Sequence, residues 1–377
     1  MELRIEKKDF LKALAMVQTI VERRSTIPIL SNTLIRTDEK GIILTATDLE
    51  TAITGHFPAS VLLQGEASVS ARKLFEIVRE LPDSEIHVKK QDNNWITLTC
   101  EKSLFNIAGV NPEEFPSLPS FKDEDFHAFS AKDITEMVEK TVFASSTEES
   151  RYNLNGVFFK AMTIEDQPSI RMVATDGHRL ALIDKPGLMF AGLEKGVIVS
   201  RKGLLEIRRL IGDGKSREET AEDVVYLSLS DNNFVAKKNE TVVLTRLIEG
   251  EFPDYETVIP TNNDKRIRLS KEQLTACLKR ISIMASEKGE GLVFRIQQGS
   301  LVVSSSAHDF GDAKEDMDIE YTGEDIEVGF NGRYLLDALA VMGTEDLVFE
   351  LKDSATAGVL RPAGEERHLC LVMPMKL

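Results

Sequence analysis

The residues best suited to chemistry are sparse in this chain, and none of them clusters by spacing. Six histidines, His56, His87, His127, His178, His308 and His368, stand singly, and no H-E-x-x-H, G-x-S-x-G, G-x-G-x-x-G or EF-hand pattern occurs. Gly212-Asp213-Gly214-Lys215-Ser216 ends like a phosphate-binding loop, but the first glycine of that motif would fall on Arg209, so the segment reads as a polar turn after a helix. Cys100, Cys277 and Cys370 are far apart in apolar runs, which is neither a disulfide framework nor a zinc spacing. They read as buried structural thiols. The catalytic set is therefore empty, and no metal or cofactor is expected.

What recurs is architecture. Ser70-Ala71-Arg72-Lys73-Leu74-Phe75-Glu76-Ile77 returns as Ser200-Arg201-Lys202-Gly203-Leu204-Leu205-Glu206-Ile207 and again as Asn331-Gly332-Arg333-Tyr334-Leu335-Leu336-Asp337-Ala338, at offsets of 130 and 131. Each copy opens with a capping residue and continues with apolar residues at helical spacing. A second helix opens each third, over Lys7 to Val21, Ala131 to Ala144 and Ser270 to Ser286. Leu30-Ser31-Asn32-Thr33-Leu34 matches Leu154-Asn155-Gly156-Val157-Phe158, and Ala46-Thr47-Asp48-Leu49 matches Ala174-Thr175-Asp176-Gly177. Between the helices lie short β-rich runs, among them Ile96 to Thr99, Val224 to Leu229, Val242 to Leu244, Leu301 to Val303 and Leu347 to Leu351. The fold class is α+β: three tandem repeats of a two-helix, antiparallel-sheet domain. Prolines cluster at two equivalent joints, Phe115-Pro116 and Phe252-Pro253, giving domains 1–125, 126–254 and 255–377.

The formal net charge is -16 over 377 residues, which excludes a protein that coats nucleic acid or anionic membrane over its whole surface. The six helical segments nevertheless carry +7, leaving -23 on the remainder. A cationic helical face on an acidic body suits a polyanion contacted on one side only. Met1 to Phe10 lacks the apolar core of a signal peptide, and no stretch approaches the ~18 apolar residues of a membrane helix, so the chain reads as cytoplasmic with no membrane partner.

Thr175-Asp176-Gly177-His178-Arg179-Leu180-Ala181, Phe252-Pro253-Asp254-Tyr255 and the terminal Val372-Met373-Pro374-Met375-Lys376-Leu377 together resemble the bacterial DNA polymerase III beta subunit, the DNA sliding clamps. Arg24-Ser25-Thr26-Ile27-Pro28-Ile29-Leu30 and Ala71-Arg72-Lys73 extend the resemblance over the whole chain. It implies a head-to-tail dimeric ring with helices lining the central hole, working as a non-catalytic processivity factor. Its implied partners are duplex DNA without sequence preference, the replicative DNA polymerase, the clamp loader and other clamp-binding repair or replication proteins.

By the same resemblance a peptide pocket falls on Leu154, Thr175, Gly177, His178, Arg179, Leu180, Pro253, Val258 and the tail Met373, Pro374, Met375, Lys376 and Leu377. DNA contact is expected from Arg24, Arg72, Lys73, Arg201, Lys202, Arg208 and Arg209, and the dimer interface from Phe105 and Ile107 against Ile283 and Met284. The chain departs from the family at Glu256 and Thr257, where basic residues are frequent, and in the acidic loop Ser145 to Ser150, which stays out of the DNA set. A second reading from the residues is an enzyme holding a small anionic substrate on Arg72, Arg201, Arg208 or His178.

Overall fold

A computed structural model describes residues 1–21, 27–119, 125–212, 223–230, 232–284, 291–307 and 311–376. Six α-helices lie among them: α1 (Lys7–Val17), α2 (Ala71–Glu80), α3 (Ala131–Glu139), α4 (Arg201–Ile211), α5 (Lys271–Ile281) and α6 (Gly332–Ala340). Two of the caps anticipated from sequence are seen: Ser70 Oγ accepts from Lys73 N at 3.4 Å, and Asn331 Oδ1 accepts from Arg333 N and Tyr334 N at 3.0 and 3.3 Å. α1 stops at Val17, short of the expected Val21, and the chain continues as turn to Ile20. α3 gives way after Glu139 to a short 3-10 turn over Val142–Ala144.

By contacts the chain divides into two compact units, Met1–Ile134 with Lys202–Leu247, and Thr135–Arg201 with Ile248–Leu377. In the first unit a long antiparallel sheet runs from Gly109–Val110 through Glu66–Ser70, Asn32–Thr37, Gly41–Thr47 and Thr51–Pro58, then across to Thr241–Ile248, Asn233–Lys238, Val224–Ser230 and His127–Ser130. The second unit repeats the plan, with Val197–Ser200, Gly156–Ile164, Gln167–Thr175 and Arg179–Pro186 joined to His368–Val372, Gly358–Pro362, Asp346–Leu351 and Lys265–Ser270. The middle third thus lends strands to both long sheets, and for that reason the compact units cut across the sequence repeat.

Each unit also holds a smaller antiparallel sheet. The first orders Ser60–Leu63, Glu2–Glu6, Glu85–Lys90, Ile96–Cys100 and Ser103–Ile107; the second orders Gly311–Asp318, Ser300–Ala307, Leu292–Gln297 and Ile326–Phe330. Helices cover the sheets through one apolar stripe each, such as Phe10, Ala13, Leu14 and Val17 on α1 and Leu274, Cys277, Leu278 and Ile281 on α5.

All three cysteines are free and buried. Burial pushes the Cys277 thiol up to about 11 and the Cys370 thiol up to about 12, which leaves both protonated and inert at neutral pH.

Near Cys370 the second unit buries a charged cluster. Lys140, 8% exposed, pairs with Glu136 at 2.9 Å and Glu365 at 3.2 Å, while Lys185 reaches Glu136 at 2.8 Å. Burial raises the Glu136 carboxyl, but hydrogen bonds from Lys185 and Lys140 outweigh it and hold the group at about 2. His368 is fully buried, with Nε2 3.8 Å from Cys370 Sγ and, among the described residues, no hydrogen-bond partner on Nδ1. Burial, with Lys140 and Arg361 adding repulsion against the pull of Glu136, lowers its imidazole to about 3.

Below the ordinary histidine value the unfolded chain takes up a proton that the folded chain refuses. Stability therefore falls as pH drops from about 6.5 toward 3, by about 1.4 kcal/mol per unit, and Glu136 adds to the loss below about 4.5. Denaturant melts from pH 7 to 5 should show this slope, and His368→Leu should flatten it above pH 5. An unchanged slope in that variant would remove His368 as its source.

Candidate partner-binding groove, cationic helices and sheet edges

The expected pocket is organised by the tight turn between strands Gln167–Thr175 and Arg179–Pro186. Thr175 Oγ1 donates to Arg179 O at 2.7 Å and accepts from Gly177 N at 3.1 Å. Asp176 Oδ1 accepts from His178 N at 3.0 Å and Arg179 N at 3.1 Å. Gly177 sits at φ +87°, a left-handed conformation in which a side chain would be strained. His178 is thereby placed at the turn's outer corner, where its ring stacks on Tyr334 with centroids 6.4 Å apart.

The tail is fastened to this turn by backbone. Met373 N donates to His178 O at 2.8 Å, and Met375 N donates to Gly329 O at 2.8 Å. Along this stretch Met373 is 38% exposed, Pro374 and Met375 are half-buried, and Lys376 is exposed. Leu377 lies outside the described residues. Val258, 47% exposed, and Pro253 are also at the surface.

Two of the expected pocket residues turn out to be packed interior. Leu180 is 2% exposed in a core with Tyr255, Leu369 and Leu371, against which Phe252 and Phe158, stacked on each other, pack, and Leu154 is 8% exposed. They support the groove from beneath.

Arg179 also has a role that its position alone did not indicate. Its guanidinium donates to Asp176 Oδ2 at 3.0 Å, Asp337 Oδ2 at 2.5 Å and Phe143 O at 2.9 Å, and it lies 4.5 Å from the Tyr334 ring centroid. With every edge engaged it is a tie that holds the turn to α6. Tyr334 and Asp337 were visible only as members of the repeated octapeptide; their i,i+3 spacing on one helix face was the available signal. At the departure positions Glu256 lies 3.5 Å from Arg171, which also holds Asp184 at 2.6 Å, and Thr257 Oγ1 donates to Asp254 O at 2.8 Å.

The cationic helices are less free than charge counting suggests. On α4, Lys202 pairs with Asp48 and donates to Ile20 O at 3.2 Å. Arg209 pairs at 2.5 Å with Glu206, a residue 5% exposed that also accepts from Thr19 Oγ1 at 2.7 Å. Arg201 lies 3.4 Å from Val142 O, Ser145 O and Ser145 Oγ. Lys73 is exposed and pairs with Glu76 at 2.8 Å; Arg72 and Arg208 are half-buried on α2 and α4. Arg24 lies outside the described residues. In the acidic loop Ser145 and Ser146 are buried, whereas Glu148 and Glu149 face solvent.

Of the expected interface residues, Ile283 is 77% exposed and Met284 half-buried, both in the turn that follows α5. Phe105 is 39% exposed on Ser103–Ile107, an outer strand of its sheet, but Ile107 is 8% exposed and points inward. Leu104, 62% exposed beside Phe105, is apolar surface that the resemblance did not name.

Models of the DNA polymerase III beta subunit match in consecutive order: its N-terminal domain over residues 1–119, its central domain over 128–254 and its C-terminal domain over 256–376. The chain belongs to this family. Beta sliding clamps from Pseudomonas putida and Caulobacter vibrioides are each 32% identical over the full length of both chains. Among solved structures, a sliding clamp from Bartonella birtlesii bound to griselimycin superposes with TM-score 0.93 at 31% identity, and the Caulobacter crescentus clamp with TM-score 0.91 at 32%, each covering both chains entirely. The fold is that of the DNA polymerase III beta subunits, three α+β domains in tandem. Among the described residues no helix is long and apolar enough to cross a membrane.

Proposed function

We propose that this chain is a DNA polymerase processivity factor. Two copies close head to tail into a ring around duplex DNA, slide without sequence preference and tether the replicative polymerase, clamp loader and other clients through the tail groove. The observation that carries this is the consecutive match of all three domain models along a chain with a threefold internal repeat. Domains 1–125, 126–254 and 255–377 are the units of the ring. The protein is non-catalytic and cytoplasmic.

The edges of the smaller sheets support ring closure. Ser103–Ile107 and Gly311–Asp318 are terminal strands of their sheets, and a heterologous contact between such edges pairs groups that would otherwise be exposed. Tethering needs little intrinsic affinity, because linkage raises the effective concentration of polymerase at the primer end to about the millimolar range.

Encirclement predicts a topological result. Protein loaded on nicked circular DNA should remain bound through a high-salt wash and leave when the circle is linearised, whatever its sequence. Retention on blunt linear DNA would contradict the ring. Phosphate contacts position without reading bases. Neutralising Arg72, Lys73 and Arg208 together should slow loading several-fold and lower its salt dependence, whereas Lys202→Ala, which also breaks the pair with Asp48, should cost stability as well.

A further inference from the structure

The turn that organises the tail groove occurs a second time in the chain. In Thr47–Thr51, Thr47 Oγ1 donates to Thr51 O at 3.1 Å and accepts from Leu49 N at 3.0 Å, as Thr175 does with Arg179 and Gly177. Asp48 Oδ1 accepts from Glu50 N at 2.9 Å and Thr51 N at 2.6 Å, as Asp176 does from His178 and Arg179. Leu49 takes φ +76° where Gly177 takes +87°. Arg246 N donates to Glu50 O at 2.7 Å, as Met373 N does to His178 O. Leu244 stands opposite Ala52 as Leu371 stands opposite Leu180. Phe115-Pro116-Ser117-Leu118 occupies the place of Phe252-Pro253-Asp254-Tyr255 in the repeat.

The two copies differ in what fills them. Leu180 and Tyr255 close the core beneath the tail groove, but the equivalent residues are Ala52 and Leu118. These smaller side chains leave a cavity of about 430 Å³, walled by Leu49, Pro116, Leu118 and Leu244, with Arg246 and the amides of Asn232 and Asn233 at its rim. Polar residues, Thr47, Thr51 and Ser117 among them, line the cavity about as much as apolar ones, and its size is that of a ligand site. Leu49, 54% exposed, holds its left-handed backbone although it is not glycine, which places an apolar side chain at the mouth at a cost in strain.

We infer that this cavity is a second peptide site, taking a short extended segment with one leucine- or phenylalanine-sized anchor and a carboxylate beside it. The inference rests on the reading of the tail groove as a peptide site. The carboxylate follows from the rim: where the tail groove presents the apolar Met373, this copy presents Arg246, exposed, with two amides nearby. Glu50 lines the same cavity and repels a carboxylate, so the anionic group of the peptide must lie on the Arg246 side, away from it.

The test is methyl NMR on the full chain with labelled leucine and methionine, titrated with acetyl-Gln-Ala-Asp-Leu-Phe-amide and with the same peptide carrying Asn for Asp. Methyls of Leu49, Leu118 and Leu244 should shift saturably, with half-saturation on the order of 1 mM, a value expected of a single anchor. The Asn peptide should bind about fivefold more weakly. Ala52→Leu, which installs the filler of the other copy, should abolish these shifts and leave those of Met373 and Met375 intact. Arg246→Glu, at an exposed position, should remove the preference for Asp without touching the core. No saturable shift at Leu49 and Leu118, or shifts that survive both substitutions, would overturn the proposal. Failure of the tail-groove reading would appear separately, as still methyls at Met373 and Met375 while those of Leu49 and Leu118 move.

Discussion

Ile283→Asp combined with Met284→Asp should convert the assembly into folded monomers. Ile283 is a large apolar side chain left 77% exposed in a single chain, directly after α5, and Met284 is half-buried beside it. Leu104 and Phe105 are similarly exposed on the outer strand of another sheet. If these surfaces meet in the ring, each aspartate would be buried without a partner, at several kcal/mol apiece, so association should weaken by more than about a thousandfold. Neither substituted side chain belongs to the protomer core, so circular dichroism and melting should stay near those of the parent. Sedimentation velocity reads the result. A variant that still sediments as a dimer at micromolar concentration would refute the assignment, and Leu104→Asp should reproduce the monomer from the opposite edge. The Arg280–Glu315 pair, with bonds of 2.9 and 2.5 Å, lies within one chain and should survive the separation.

The two-helix repeat was legible because its signals are local. A cap at Ser70 or Asn331 and apolar residues three and four apart specify a helix and its buried face within ten residues. The turn at Thr175–Arg179 was legible for the same reason, since threonine, aspartate and glycine bond within the turn itself. The sheets were not. The pairing of Ala52 with Leu244 joins positions 192 residues apart, and nothing in either strand names its partner. The sharing of the middle third's strands between two sheets was therefore hidden from a reading of the repeat alone.

Charge was legible as a total and illegible as a direction. Counting placed Lys202 and Arg209 on a cationic face; Lys202 is held by Asp48, 154 residues away, through a proximity that depends on the fold, whereas the exposed Arg209 pairs with Glu206 three residues back on the same helix. Arg179 shows the same limit. Its place in the turn could be read, but its bonds to Asp337 and Phe143 O come from segments 158 and 36 residues away. Ile107 escaped for a simpler reason. The resemblance named it together with Phe105, and strand alternation would put the two on one face, but at the sheet's edge the exposed run is Leu104-Phe105-Asn106.

Removing Met373 to Leu377 should abolish binding of polymerase and loader peptides while leaving a folded dimer. The strand His368–Val372 ends immediately before the cut, and its pairing with Arg179–Pro186 runs from His368 opposite Ile183 to Val372 opposite Arg179, so the ladder is complete without the tail. What is lost is the bond from Met373 N to His178 O, the bond from Met375 N to Gly329 O and the half-buried Met375 side chain. Two backbone bonds at net values of about 1 kcal/mol each make the cost to stability modest. The cost to recognition is larger, because the tail forms one wall of the groove. Methionine's flexible thioether chain lets that wall repack around different anchors, and Pro374 fixes the turn between the two methionines so that little entropy is lost on binding. With the wall gone, a peptide bearing Gln and Leu or Phe anchors would meet only Val258, Pro253 and His178, and its affinity should fall by at least about a hundredfold, the loss expected for about 3 kcal/mol. Fluorescence anisotropy with a labelled peptide measures this, with sedimentation of the same sample as the control for assembly. Unchanged affinity in the shortened protein would mean that clients are held elsewhere, and a loss accompanied by monomers or aggregates would mean that the tail serves the fold.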